Sequence, residues 1–299
     1  MGLRFKGLAA PGLILALAAL VAACAPAPVQ AEPRPAVWVV RDADSEMTLF
    51  GSVHVLPPGL DWRPEALDAA LAEADDLWFE LPVDPGTEAQ AAALALRHGM
   101  MPPGQALADT LDPESLARLQ RLAQRHDLPM ATLAQLKPWF AEVLVAAGVL
   151  AAQGADISHG VERQISALAP AAVERRALES AEQQIALFSA APLDEQAASL
   201  AETLRQLEED PEVFDRLIAA WMAGDQAALE AETLTPLRQA APALYERMVT
   251  ARNRDWVAQL HARLEGSGRT VVVVGAGHLM GEDGLPHRLR ALGYEVEGP

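Results

Sequence analysis

The sequence predicts an α/β fold in which a mixed β-sheet core, built from the two ends of the chain, brackets a large helical insertion. Three observations lead there. Apolar, strand-like runs lie near both termini, at 36–40, 47–53 and 77–81 on one side and at 270–274 on the other. Between them, from about 86 to 265, apolar residues recur at helical rather than alternating spacing. Finally, a G-x-x-H motif closes one apolar run at each end: Gly51-Ser52-Val53-His54 and Gly275-Ala276-Gly277-His278.

The elements follow in chain order. Residues 1–23 read as an export signal, with Arg4 and Lys6 ahead of an apolar stretch too short to be a comfortable membrane span. Val21-Ala22-Ala23-Cys24 resembles a bacterial lipobox, in which the cysteine is lipidated and becomes the first residue. Cys24 is the only cysteine of the 299 residues, so no intramolecular disulfide forms. Cleavage after Val29-Gln30-Ala31 is the alternative and would release a soluble product. With lipid at Cys24, the proline-rich stretch 24–35 becomes a semi-extended tether to a membrane surface. The expected location is therefore the cell envelope, facing the periplasm from the inner or outer membrane.

Residues 36–297 are expected to form a single domain. Runs 36–40 and 47–53 flank an Asp42-Ala43-Asp44 turn and read as a hairpin. A helix over 64–74 begins with proline and spaces Leu67 and Leu71 one turn apart. In the strand 77–81, alternation sends Leu77, Phe79 and Leu81 to one face and Trp78 and Glu80 to the other.

Helices are then predicted at 86–98, 113–126, 138–152, 162–169, 179–190, 193–209, 211–222, 225–233 and 241–265, with Pro-, Gly- or Asp-containing breaks. The 139–152 stretch has Glu142 as its sole charge, which predicts a helix buried on all sides. Thr270 to Val274 is β-branched and suits a strand covered on both faces. A helix at 285–292 and a strand at 294–296 complete the chain.

Composition narrows the function. The formal charge is −18, and an acidic surface repels phosphate backbones, so nucleic-acid binding is not expected. Gly275-x-Gly277 lacks the third glycine of a dinucleotide fingerprint at 280, where methionine stands. No H-E-x-x-H, G-x-S-x-G or Cys–His arrangement is present, which argues against zincins, α/β-hydrolases and cysteine proteases.

What remains is a site at the strand ends. His54, His278 and Glu80 supply two imidazoles and a carboxylate, three ligands for a divalent ion with a position left for water or substrate. Such an ion lowers the pKa of bound water and polarises a carbonyl, as hydrolysis at neutral pH requires. Arg252 either pairs with Asp255 on a helix surface or turns inward to hold a substrate oxygen. The other histidines have plainer explanations. His98 and His126 suit last helical turns, and His261 and His287 read as solvent-facing on helices. His159 falls in a loop.

Several segments together resemble the TraB/GumN family, related to the Tiki metalloproteases. They are Leu49 to His54; Leu77-Trp78-Phe79-Glu80-Leu81; Leu136-Lys137-Pro138-Trp139; Leu178-Glu179-Ser180-Ala181-Glu182-Gln183; Glu246-Arg247 through Arg252-Asn253-Arg254; and Val274 to Leu279 with Gly281, Gly284 and Leu285. They recur in family order.

The resemblance implies an α/β core in which both G-x-x-H elements form one site. It points to His54, Glu80, Arg252 and His278 as functional residues, with Asn253 beside them. It also implies metal-dependent proteolysis of a peptide substrate, with manganese or cobalt favoured and zinc a further candidate. The wider superfamily includes erythromycin esterases and a haem-binding lipoprotein. A non-catalytic haem- or metal-binding lipoprotein using the same histidines is therefore the alternative. The chain departs from the family pattern at Glu162, where aspartate is expected, and over 171–177, which lacks the usual glycine-containing turn.

Overall fold

The computed structural model describes residues 34–299, which cluster as one compact unit. The signal segment 1–23, Cys24 and most of the 24–35 tether lie outside the described residues.

Six strands form a mixed sheet. They are β1 (Val37–Arg41), β2 (Ser45–Ser52), β3 (Asp76–Phe79), β4 (Glu174–Ala177), β5 (Gly268–Gly275) and β6 (Glu295–Glu297), in the spatial order β4-β3-β5-β2-β1-β6. β1 runs antiparallel to β2 and β6, whereas β2, β3, β4 and β5 are mutually parallel. The four parallel strands therefore end on one rim of the sheet. Ligands of open α/β sheets gather outside such carboxyl ends.

The centre of the sheet is buried on both faces, as its β-branched composition predicts. Val271 and Val273 join one apolar cluster with Leu77, Phe79 and Phe50, while Val272 and Val274 join another with Trp78 and Leu49. This is period-two alternation with a core on each side. Helix α1 (Glu65–Glu73) covers the first face with Leu67 and Leu71. The second is covered by α13 (Ala251–Leu264), through Trp256 and Leu260, and by α14 (Leu285–Ala291), through Leu285 and Leu289.

The insertion supplies α2 (Pro85–Gly99), α3 (Pro113–Arg125), α4 (Met130–Leu133), α5 (Pro138–Ala152), α6 (Val161–Leu168), α7 (Ala181–Ser189), α8 (Leu193–Glu209), α9 (Val213–Ala223), α10 (Gln226–Glu232), α11 (Leu234–Ala240) and α12 (Pro242–Tyr245). Part of it has a core of its own, in which Leu119 and Leu122 of α3 meet Val145 and Val149 of α5 and Leu200 and Leu204 of α8.

The structure departs from the pattern-based expectation at several points, among them two helices, α4 and α11, in stretches read as breaks. The insertion is interrupted by β4, an edge strand of sequence Glu-Arg-Arg-Ala that is mostly exposed and so shows no apolar alternation. Helix α5 is not buried on all sides: Val143 and Leu144 are exposed. The 241–265 helix is broken into α12, a π-helical turn at Glu246–Thr250 and α13. Finally, β3 ends at Phe79, so Glu80 occupies a bend beyond the strand instead of a strand face.

Candidate functional site

Parallel pairing of β2 with β5 sets Ser52 beside Gly275, which brings the two G-x-x-H segments next to each other on the carboxyl rim. Glu80 follows β3 on the same rim, and Glu179 lies two residues past β4, its N–H bonded to the Glu80 carbonyl at 2.9 Å. The site is thus assembled from four adjacent strand ends. Helix α13 packs over it and contributes Arg252 and Asn253. The π-turn immediately before this helix inserts an extra residue into the helical register, a feature that recurs where helices carry function.

Arg252 lies at the centre and is 7% exposed. It donates to Glu80 Oε2 at 2.6 Å, and to Glu179 through both Nε and Nη2, at 3.1 and 2.6 Å. Its Nη1 donates to His278 Nε2 at 2.9 Å and to the Met248 carbonyl at 3.2 Å. The guanidinium also lies over the Trp256 ring, 4.5 Å from the centroid. The inward alternative is the one adopted; Arg252 is not a surface partner of Asp255.

His278 sits in a 3-10 turn, Ala276–Leu279, and its tautomer follows from its neighbours. Asn253 Nδ2 donates to the carbonyls of His278 and Asp283, at 3.2 and 2.8 Å, so Asn253 Oδ1 is the group that accepts from His278 Nδ1 at 2.6 Å. Nε2 then carries a lone pair, which Arg252 engages. Burial pushes the His278 pKa down to about 4, with Arg252 adding to the effect. The ring is neutral at neutral pH.

Burial by itself would raise the Glu80 pKa, but the surrounding cations and the Gly275 N–H, which donates to Oε1 at 2.7 Å, bring it down to about 2. His278 contributes to this only when protonated, so near neutral pH Arg252 is the permanent partner that keeps Glu80 ionised. For Glu179, burial prevails over its bonds to Arg252 and the pKa is raised.

His54 lies at the open edge, its side chain 68% exposed. Nδ1 contacts Glu162 Oε1 at 2.6 Å, and Ser52 Oγ donates to the same oxygen at 2.6 Å. Attraction to Glu162 raises the His54 pKa to about 9, although solvent on the open side screens the pair. Burial acts against ionisation of Glu162, but the His54 and Ser52 contacts outweigh it and leave its pKa lowered.

The groups converge on Gly275. A Cβ at that residue would sit 3.2 Å from Glu80 Oε1, 3.7 Å from His278 Cδ2 and 3.9 Å from His54 Nε2. The four residues singled out for the site, His54, Glu80, Arg252 and His278, therefore meet around one point. Asn253, Glu179, Gln184 and Glu162 hydrogen-bond these four, and Ser52 in turn donates to Glu162. Ser52 lies within the first G-x-x-H motif and Glu179 within the 178–183 segment, but neither is singled out there; the adjacency of strand ends brings both to the site. The surface hollows lined by Arg41, Glu46 and Arg269 are at the amino ends of β2 and β5, away from this site.

Among the described residues, no three His, Cys, Asp or Glu side chains stand as a ready-made ion cage. The donor chemistry nevertheless fits a divalent cation. Two carboxylates (Glu80 and Glu179) share one permanent guanidinium, a third (Glu162) contacts His54, and His54 Nε2 and Glu80 Oε1 both approach Gly275. His278 Nε2 becomes a ligand only on releasing Arg252. The other histidines lie elsewhere: His261 Nδ1 contacts the Tyr294 hydroxyl at 2.6 Å, and His159, in a 3-10 turn, pairs with Asp156.

Comparison with known proteins places this geometry in context. The model of the TraB/PrgY/gumN family matches residues 36–298. The uncharacterized protein YbaP of Escherichia coli K12 is 26% identical over 259 residues, covering 86% of this chain and 92% of YbaP. YbaP of Shigella flexneri is similar to the same degree and over the same extent. No solved structure matches the chain.

Proposed function

As the chain belongs to the TraB/PrgY/gumN family, we propose that it is a membrane-anchored, extracytoplasmic hydrolase, dependent on a divalent cation and acting on peptides. The observation that carries this reading is the convergence of His54, His278 and an ionised Glu80 beside Gly275. Once His54 has given up its proton and His278 Nε2 is released from Arg252, both would join Glu80 in holding the cation; manganese or cobalt is favoured. Bound there, a divalent ion acidifies a water molecule and polarises a carbonyl.

The chain's own residues do the remaining work. Glu80 is ionised throughout the physiological range, so it serves as a ligand or proton acceptor and not as a proton donor. Arg252 is anchored by Glu179 through two hydrogen bonds, which leaves Nη1 to orient a substrate oxygen when it parts from His278. Asn253 holds the His278 ring in one tautomer. Anchoring rests on the lipobox-like Cys24. Among the described residues, no helix is long and apolar enough to cross a membrane.

The test uses the full chain purified in detergent. Bound metal is measured by mass spectrometry, and peptide cleavage is followed with and without chelator, in wild type, His54→Ala and His278→Ala. Cation-stimulated cleavage that falls at least 100-fold in each variant is expected. Metal-free wild-type protein that cleaves no member of a peptide library, whichever ion is supplied, sinks the reading.

A further inference from the structure

We infer that Glu162, together with Ser52, is a positioning residue for His54: it takes the Nδ1 side of the ring and thereby aims Nε2 toward Gly275, beside Glu80 and His278. The use Nε2 is put to there rests on the cation reading above; its orientation does not.

Glu162 Oε1 is shared by two short contacts, His54 Nδ1 and Ser52 Oγ, both at 2.6 Å. The geometry is asymmetric. His54 is mostly exposed, whereas the Glu162 side chain is only 17% exposed. An exposed imidazole ordinarily samples several rotamers, and a carboxylate fixed behind it removes that freedom. On the far side of the ring, Nε2 makes no hydrogen bond among the described residues and is 3.9 Å from the Cβ position of Gly275. One nitrogen is held and the other is presented.

The carboxylate comes from the insertion, and the chain fastens it deliberately close to His54. The segment carrying it is tied to the one after β2 by Val161 N–H to the Val53 carbonyl at 3.1 Å, and by the Leu56–Asp156 pair, in which each backbone bonds the other. Between these ties Gly160 passes so near the His54 carbonyl that a Cβ there would come within 2.2 Å of the oxygen. A plain surface ion pair requires none of this backbone stitching.

The test reads His54 directly and depends on neither bound metal nor activity. The full chain, in chelator, is treated with diethyl pyrocarbonate, which modifies unprotonated imidazole, and labelling of each histidine is followed by peptide mass spectrometry from pH 5 to 9. In Glu162→Gln, His54 should label about tenfold faster at pH 7, with its pH midpoint moved down, because the charge that retains the ring proton is gone. Ser52→Ala should shift His54 the same way by a smaller factor, about two- to threefold. His159, which pairs with Asp156, serves as the reference and should be unchanged.

If Glu162→Gln loosens the fold, all histidines label faster and Ser52→Ala decides. His54 labelling with the wild-type rate and midpoint in a folded Glu162→Gln, or in Ser52→Ala where that variant decides, overturns the inference. Titration of the same proteins with manganese, cobalt and zinc separates the two readings. A roughly 10- to 100-fold weaker affinity in Glu162→Gln is expected if the cation reading holds. Wild type that binds none of manganese, cobalt or zinc sinks that reading and leaves the labelling result standing.

Discussion

Arg252 satisfies two carboxylates, an imidazole and a backbone carbonyl from a single buried guanidinium. Its replacement by methionine strands Glu80 and Glu179 without a cation. The expected loss is about 3–5 kcal/mol of stability, measured by urea unfolding, because an uncompensated buried charge costs more than the pair contributes. Protonation adds a pH signature. Glu80, at about 2 instead of 4.5, contributes stability that is present above 4.5 and lost as pH falls toward 2. His278, lowered to about 4, has the same sign, with loss between 6.5 and 4. His54 is opposite: raised to about 9, it contributes fully below 6.5 and fades as pH rises toward 9. The melting-temperature gap between wild type and His54→Asn should therefore narrow from pH 6.5 to 9; a constant gap contradicts the assignment. Beside these side chains, Gly275→Ala sets a methyl group 3.2 Å from Glu80 Oε1. That variant should stay folded while cation affinity, read by manganese titration, drops at least about tenfold.

At the scale of elements, α13 is tied to the 3-10 turn and loop that follow β5 largely by Asn253, which is fully buried. Asn253→Ala removes the acceptor for His278 Nδ1 and the donors for the carbonyls of His278 and Asp283. About 1–3 kcal/mol should be lost by chemical denaturation for each buried group left unpaired, and the His278 tautomer is released. Most elements were legible in local pattern. The helices α1, α2, α3, α8 and α9 follow from proline or acidic starts and apolar spacing, and β5 follows from its β-branched run. The exceptions share a cause. Strand β4 is an edge strand with solvent on it, so burial never imposed an alternating pattern. The π-turn at Glu246–Thr250 is a one-residue change of register inside a helix, which periodicity averages away. Exposure of Val143 and Leu144 depends on what packs beside α5, not on α5 itself.

In the molecule as a whole, the insertion returns to the sheet through an aromatic trio. Phe50 of β2 stacks on Trp62 at 5.6 Å, and Trp221 of α9 lies 5.7 Å from Trp62 while donating to the Gly51 carbonyl at 2.9 Å. Trp221→Phe keeps most of the apolar contact but leaves that carbonyl, beside the first histidine motif, without its donor. A loss of about 1–3 kcal/mol is expected by urea denaturation; an unchanged midpoint would show that the bond carries no net stability.

Much about this protein could be read without coordinates: the α/β class, the order of most elements, the paired G-x-x-H motifs, and His54, Glu80 and His278 as candidates near strand ends, whereas Arg252 stayed open between a surface pair and an inward position. These are local properties, set by burial period, by turn chemistry and by residue types whose functional groups have few bland uses. Which neighbours they have was decided only in three dimensions. The β4-β3-β5-β2 strand order puts four carboxyl ends on one rim, and so joins Glu179 and Glu162, parts of a helical insertion, to histidines from opposite ends of the chain. Pairing between distant segments is a matter of packing the whole sheet, and no window of sequence contains it.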